Sequence, residues 1–526
     1  MMLGGTAPIQ RLNYDVFFQL AERLYAQGAL KDLSNTCRTF RQWSMPVLFQ
    51  VCWVRQTIES PMERKFPPPS IWPYIRSITV HDILCPDSHR YNPIPGVMLV
   101  RRCGIVNGFI SRAFRRMPEL HAVHLILSHH GIPWLALQLI LALPQLREFS
   151  CTPQISYTPE GSARVRKLVM DSPAPLTSFQ FTRDIYAISH LFDRLQSRAE
   201  ERLLDLILRS AHTSLTILAL PIESAPLRTI GSLDFPRLRE LTLKGLSGPS
   251  QELQCDLVSA LGRMPELRVL ELDIALSPRR TPQPIWPPGV ITTYPWPHLQ
   301  RLCVSFPHAN DQLYPHLPGD LTHLALRYSP HQIIHKWEAP WRETECVFPP
   351  SSADDILRIL QECKATGLVE LEVEYHQGED DDDTLLRYIA TSFPELETLR
   401  LFLYHRDGAI ASDVNGIGKL LNPLQRLRTL WLYMDFPLQN PAHFRRNDHA
   451  SLHRFQETAD ALARTLGSSV TVVKMLRPQK YFEREYEWGV YEVVRDDAES
   501  AGPYARYSYF LTHGEEEPED DDANDE

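Results

Sequence analysis

Cysteine pairs at metal-ligand spacing are missing from this chain of 526 residues. Its nine cysteines, Cys37, Cys52, Cys85, Cys103, Cys151, Cys255, Cys303, Cys346 and Cys363, include no C-x-x-C pair, which argues against a zinc site or any other bound metal. Long apolar runs are missing too. The longest, Trp134 to Leu143, is interrupted by Gln138 and is too short to span a bilayer, so no membrane association is expected. No apolar leader follows Met1, so the cysteines are expected to stay reduced in the cytosol or nucleus. Several, such as Cys151 and Cys303, are expected to act as small hydrophobes at apolar positions of a repeat. Positive charge is in deficit: 54 Lys and Arg against 64 Asp and Glu give a net charge of -10, which speaks against a nucleic-acid partner. No G-x-S-x-G, G-x-x-x-x-G-K or G-x-G-x-x-G occurs, so nothing asks for an enzyme or a cofactor.

Proline, by contrast, is plentiful. The 43 prolines make up about 8% of the chain against roughly 5% in an average protein, as expected of many short turns. Several head a recurring phrase, Pro-x-Leu-x-x-Leu-x-Leu, as in Pro118 to Leu125, Pro236 to Leu243, Pro265 to Leu272 and Pro394 to Leu401. Its first apolar position falls at Ile75, Leu120, Leu146, Leu176, Leu215, Leu238, Leu267, Leu299, Leu321, Leu368, Leu396, Leu427 and Val470. The step between phrases varies from 22 residues, Leu299 to Leu321, to 47, Leu321 to Leu368. Such self-similarity predicts a stack of units with an extended binding wall rather than a single closed core. The chain also exceeds the roughly 250–300 residues at which one core stops growing.

Within each phrase the fourth and sixth positions alternate across one residue, which is strand periodicity with both side chains on one face. The residues between them, Thr242, Glu271, Arg400 and Trp431 among them, then face the opposite, concave wall and are the candidate substrate contacts. Helical patterns separate the phrases at 199–208, 253–261, 353–363 and 452–466. The third begins after Ser352 with Asp354 and Asp355, an acidic first turn suited to a helix N-terminus. Each unit reads as one strand and one helix, an α/β solenoid with parallel strands on the concave side and helices on the convex side. Across roughly residues 70 to 476 the pattern resembles the leucine-rich repeat, L-x-x-L-x-L-x-x-N/C-x-L. It departs from that family at the N/C position, where Lys244-Gly245-Leu246 follows Leu243 and Phe402-Leu403-Tyr404 follows Leu401. The side-chain ladder that ties such repeats together is thus missing or degenerate.

Ahead of the array, Phe17, Leu20 and Leu24 share a helix face. After a break at Gly28, a second helix is predicted to carry Leu30, Leu33, Cys37 and Phe40 on one stripe. Helices in under 40 residues make a small core. This stretch resembles the F-box, with Leu12 as the opening leucine, Val16 and Phe17 as the next apolar pair, and Leu20 and Leu24 on the following face. Leu30 and Leu33 match the start of the second helix, Cys37-Arg38 the C-(R/K) pair, Phe40 or Trp43 the aromatic, and Leu48-Phe49 the trailing pair. Asn13 and Asp15 stand where that family has proline and glutamate; losing proline weakens the helix start without forbidding it. The resemblance implies docking onto a Skp-type adaptor and cullin through Leu12, Val16, Phe17, Leu20, Leu24, Leu30, Leu33, Cys37, Phe40 and Trp43. It implies a substrate-recruiting subunit of a ubiquitin ligase, the repeats holding an unidentified protein substrate. A repeat scaffold without ubiquitin transfer is the alternative, and packing of these apolar residues onto the first repeat is compatible with either.

The expected organisation is a helical module at 1–55, an irregular solenoid at 56–476, an aromatic-rich cap at 477–512 and a disordered acidic tail at 513–526. Tyr481, Phe482, Tyr486, Trp488, Tyr491, Tyr504, Tyr507, Tyr509 and Phe510 suit closure of the last repeat, or anchoring of a substrate. Trp286, Trp296, Trp337 and Trp341 lie in proline-rich insertions and suit either anchoring or turn packing. His121 and His124 fall within a repeat strand and His129-His130 beside a turn glycine, which reads as scattered surface histidine. The acidic run 379–383 reads as a solvated loop whose charge favours the next helix start.

Overall fold

A computed structural model describes residues 14–56, 66–82, 109–127, 132–152, 155–156, 174–182, 194–247, 257–276, 282–290, 293–329, 351–377, 382–404, 413–434, 449–477, 487–495 and 502–508. The chain forms two compact units, residues 1–240 and 241–526.

The first unit opens with three helices, α1 (Tyr14–Ala26), α2 (Leu30–Thr36) and α3 (Arg38–Leu48). Gly28 at φ 73 turns the chain out of α1, in the left-handed region that suits glycine. The single second helix expected from the stripe Leu30, Leu33, Cys37 and Phe40 is instead two. Cys37 is extended (φ -155, ψ 166), and its sulfur accepts the Phe40 N–H at 3.5 Å, capping α3. After the helices come strands β1 (Val51–Gln56), β2 (Ser77–Asp82), β3 (Ala122–Leu127), β4 (Ile132–Pro133), β5 (Glu148–Thr152), β6 (Ile155–Ser156), β7 (Ser178–Phe181) and β8 (Ile217–Pro221). The order β1-β2-β3-β5-β7-β8 is parallel throughout, and β4 pairs with β6 apart from it.

The second unit contains β9 (Glu240–Ser247), β10 (Val269–Leu276), β11 (Arg301–Ser305), β12 (His323–Arg327), β13 (Glu370–His376), β14 (Thr398–Tyr404), β15 (Thr429–Met434), β16 (Val472–Arg477), β17 (Glu487–Val494) and β18 (Tyr504–Tyr507), in sequence order. Strands β10 to β16 are parallel. Neighbouring parallel strands need a long connection, and the helices Ala353–Glu362, Asp382–Ser392, Val414–Leu421 and His449–Thr465 supply it, each packed against the next. Ser352 caps the first of these, its hydroxyl accepting the Asp355 N–H at 3.1 Å.

The recurring phrase has a backbone explanation. The N–H of its first leucine donates to the carbonyl three residues earlier: Leu120 to Met117, Leu238 to Phe235, Leu267 to Met264, Leu299 to Trp296 and Leu396 to Phe393. Each is a β-turn with proline at its second residue, where the fixed φ of proline is already correct. The side chain before each proline is sealed in the core, with Met117, Phe235, Met264, Trp296 and Phe393 all at most 1% exposed. The three leucines that follow, such as Leu396, Leu399 and Leu401, are fully buried; full burial of a leucine contributes roughly 1.5–3 kcal/mol.

A second device ties the repeats without side chains. At the start of a strand two successive N–H groups donate to one carbonyl of the preceding repeat. In the first unit Arg76 and Ser77 share Gln50 O, His121 and Ala122 share Arg76 O, and Arg147 and Glu148 share His121 O. In the second, Thr322 and His323 share Gln300 O, Glu397 and Thr398 share Val369 O, and Arg428 and Thr429 share Glu397 O. This main-chain ladder satisfies the strand starts and ties successive repeats through the backbone alone.

Strands β17 and β18 form an antiparallel hairpin beside β16. Tyr491, 1% exposed, lies opposite Val473, and the Asp460 carboxylate of the last helix accepts the Ala505 N–H at 2.8 Å. Trp286 and Trp296 are buried, their indole N–H groups donating to Val290 O at 2.9 Å and Leu261 O at 3.0 Å. Trp337, Trp341, His129, His130, residues 378–381 and the tail 509–526 lie outside the described residues.

Candidate interaction surface

The buried leucines commit one face of the second unit's sheet to the core, and the residues between them line the other. Across β10 to β16 the register aligns Glu271, Cys303, Ala325, Glu372, Arg400, Trp431 and Lys474 in one row. Glu271, Arg400 and Trp431 therefore share that row, and Thr242 is the corresponding residue of β9; all four are partly exposed. Cys303 lies in the same row, between the core residues Leu302 and Val304 and not among them. It is nonetheless 2% exposed, beside the long Arg327 side chain.

Arg327 organises the first half of the face. Its guanidinium lies 3.0 Å from Glu271, 3.2 Å from Asp273 and 3.8 Å from Glu372. The small Cys303 and Ala325 leave room for this reach across strands. Burial opposes the charge on Arg327, but the surrounding anionic groups, the carboxylates of Asp273, Glu372 and Glu271 among them, more than offset it and raise its pKa. Burial likewise would raise the Asp273 carboxyl, yet Arg327 and Lys244 hold it below the ordinary value. Lys244 is 3.3 Å from Asp273. Deeper, Glu374 is 1% exposed and accepts the Tyr404 hydroxyl and the Tyr328 N–H, each at 2.8 Å.

The second half is aromatic. Arg400 reaches Glu370 at 2.7 Å and Glu372 at 3.6 Å and lies 4.6 Å from the Trp431 ring centroid. Lys474 lies 4.0 Å from the same centroid, and Trp488 meets Trp431 edge-on at 4.8 Å. Each cation–π contact is worth about 0.5–1 kcal/mol where exposed and more where water is excluded. Ion pairs and rings together fix side chains that would otherwise cost entropy to order on binding. Lys474, Arg327 and Glu372 are absent from the contacts expected from sequence, whereas Trp488 is among the aromatics expected to close the last repeat or to anchor a substrate. Lys474 was readable as the residue between Val473 and Met475 in the last phrase, whose first position is valine.

In the first unit the helical module has its own core of Phe17, Ala21, Leu30, Phe40 and Val47, with Leu24, Leu33, Cys37 and Trp43 packed against it. Phe17 stacks on Phe40 at 5.7 Å and meets Trp43 edge-on at 5.2 Å. Phe17, Leu30 and Phe40 are thus spent inside the module, leaving Val16, 50% exposed, and the half-buried Leu20 one turn on as apolar surface of α1. Leu12 lies outside the described residues.

Among the described residues no group of side chains is arranged to hold a metal ion, and no helix is long and apolar enough to cross a membrane. No family model matches the chain, and no curated protein matches it. Among solved structures, an internalin from Listeria monocytogenes is similar at 12% identity over 71% of each chain, with a TM-score of 0.28. At that score the architecture rests on the strand register and burial described above. The fold is an α/β repeat array of the leucine-rich type.

Proposed function

We propose that the chain is a partner-recruiting subunit of a cullin-type ubiquitin ligase, with α1–α3 docking a Skp-type adaptor and the open face of the second unit holding a protein substrate. The observation that supports the holding role is the preorganised face itself: ion-paired Arg327 and Arg400, with Arg400 against a partly exposed Trp431, the residue types that dominate protein interfaces. The docking role is supported by the self-cored three-helix module with Val16 and Leu20 on its surface, ahead of the repeats as in the F-box proteins it resembles. No catalytic step is assigned to the chain; its part is to bring the substrate within reach of a charged enzyme.

Affinity co-purification tests this reading. The intact chain should bring down adaptor and cullin, and Val16→Glu with Leu20→Glu should abolish both without unfolding the module, whose core these residues do not build. Recovery of neither from the intact chain overturns the ligase role and leaves a repeat scaffold that assembles proteins without ubiquitin transfer.

A further inference from the structure

Along the row from β10 to β14, cations and carboxylates answer one another: Arg327 with Glu271, Asp273 and Glu372, and Arg400 with Glu370 and Glu372. The pattern stops at β15. There the Trp431 ring lies between two cations, Arg400 at 4.6 Å and Lys474 at 4.0 Å, and among the described residues no carboxylate pairs with Lys474. Burial and the neighbouring Arg400 both push the Lys474 ammonium below its ordinary pKa, the reverse of what a counter-ion would do. Nor is the guanidinium of Arg400 fully used: its Nε is buried without a hydrogen-bond partner.

We infer that the Trp431 plate is the seat of a carboxylate side chain on a peptide segment of the partner protein, which pairs with Lys474 against the ring. Pairing selects the carboxylate. Arg400 already faces two carboxylates, Glu370 and Glu372, so the pair of cations around the ring carries no net excess, and Lys474, which has no carboxylate partner among the described residues, suits the single charge of a monoanion. A phosphoryl group carries about -1.5 to -2 at neutral pH and would face Glu370 and Glu372 with its excess. The Trp431 and Trp488 rings supply the apolar, water-excluding surround that strengthens a charge-assisted hydrogen bond. The inference deepens the proposed substrate-holding role by naming the chemistry of the partner at one point. It is read out at the second unit's sheet alone, so its failure leaves the adaptor experiment untouched.

The test is fluorescence anisotropy of fluorescein-labelled hexaglutamate, hexaglutamine and hexaphosphoserine with the full chain. Hexaglutamate should bind at least about tenfold more tightly than hexaglutamine, and Lys474→Gln should remove that difference, a tenfold step being the scale of one good charged contact. Lys474→Arg should retain the difference, and Lys364→Gln, an exposed lysine just after the helix Ala353–Glu362 and outside the strand row, should leave it unchanged. Hexaphosphoserine binding more tightly than hexaglutamate through Lys474 would overturn the carboxylate in favour of a phosphorylated partner. Binding that ignores Lys474→Gln, or no binding at all, would overturn the site. The chain's own tail carboxylates, Glu515, Glu516, Glu517, Glu519, Asp520, Asp521, Asp522, Asp525 and Glu526, are the internal competitor to test. If hexaglutamate binds only after all nine are replaced by the corresponding amides, the occupant is that tail and the partner assignment fails.

Discussion

Gly418 has no room for a methyl group. A Cβ there would come within 1.9 Å of the Thr465 hydroxyl and 2.8 Å of its Cβ on the next helix. That hydroxyl is held by the Ala461 carbonyl at 2.9 Å, so it cannot simply swing aside. Gly418→Ala should lose roughly 1–3 kcal/mol in urea denaturation, the usual cost of overpacking, even though alanine is the better helix former. His124 is sensitive to acid for a different reason. Its Nδ1 lies 2.7 Å from Ser150 Oγ, and burial holds its pKa below the ordinary value against the pull of Glu148. The unfolded chain therefore takes up the proton first, so the stability tied to neutral His124 is full above about pH 6.5 and is lost as pH falls through the folded value. The drop in urea midpoint between pH 7.5 and 5.5 should be smaller in His124→Gln than in the parent chain. The thiols of Cys151 and Cys303 are pushed up by burial, and thiolate is the reactive form. Iodoacetamide should label both far more slowly in the native chain than in urea, as read by peptide mass spectrometry.

At the scale of the element, the β-turn and the main-chain ladder make opposite demands on sequence. The turn and the leucines need particular side chains, because one site must be buried and another must fix φ. These are the positions that made the repeat legible from sequence. The ladder needs only an N–H, so the residue after the first leucine is free to be His121, Arg147, Thr322, Glu397 or Arg428, and nothing in the sequence announced it. Glu397→Ala should therefore change stability by no more than about 0.5 kcal/mol. Glu397→Pro removes a donor from the ladder and should cost several-fold more, on the order of 1–3 kcal/mol for the carbonyl interaction lost and further for strain. Thermal unfolding of the two variants side by side checks the contrast. The break between α2 and α3 stayed hidden for a related reason. Cysteine is an uncommon N-cap beside Ser, Thr, Asp and Asn, so in the sequence Cys37 looks like one more apolar residue on a stripe. Ser352 was legible because it is a standard cap, and Ser352→Ala should cost about 1 kcal/mol.

At the scale of the molecule, alternation told which strand residues leave the core, and so placed Glu271, Arg400 and Trp431 on one face. It did not tell which of those residues would meet. That depends on register between strands separated by 22 to 47 residues of chain, and on the small side chains of Cys303 and Ala325 that let Arg327 cross between Glu271 and Glu372. A face built this way is only partly a list of residues; it is also a list of neighbours. Substituting Ala325 by Leu should disturb Arg327 without touching a charge, and the measurable outcome is weaker capture of whatever partner the second unit holds, with the urea midpoint shifted by less than about 1 kcal/mol equivalent.

The doubled N–H contacts at the strand starts described above have one more consequence. They set the alignment of neighbouring repeats before the chain has crossed the sheet, so the segments that leave the far end of each strand are released from that duty. Length there can be gained or lost without moving any leucine out of its slot. Such an architecture separates what must be inherited from what can be rewritten: the strand starts preserve the array, and the strand exits are where a lineage can graft new recognition onto an old frame.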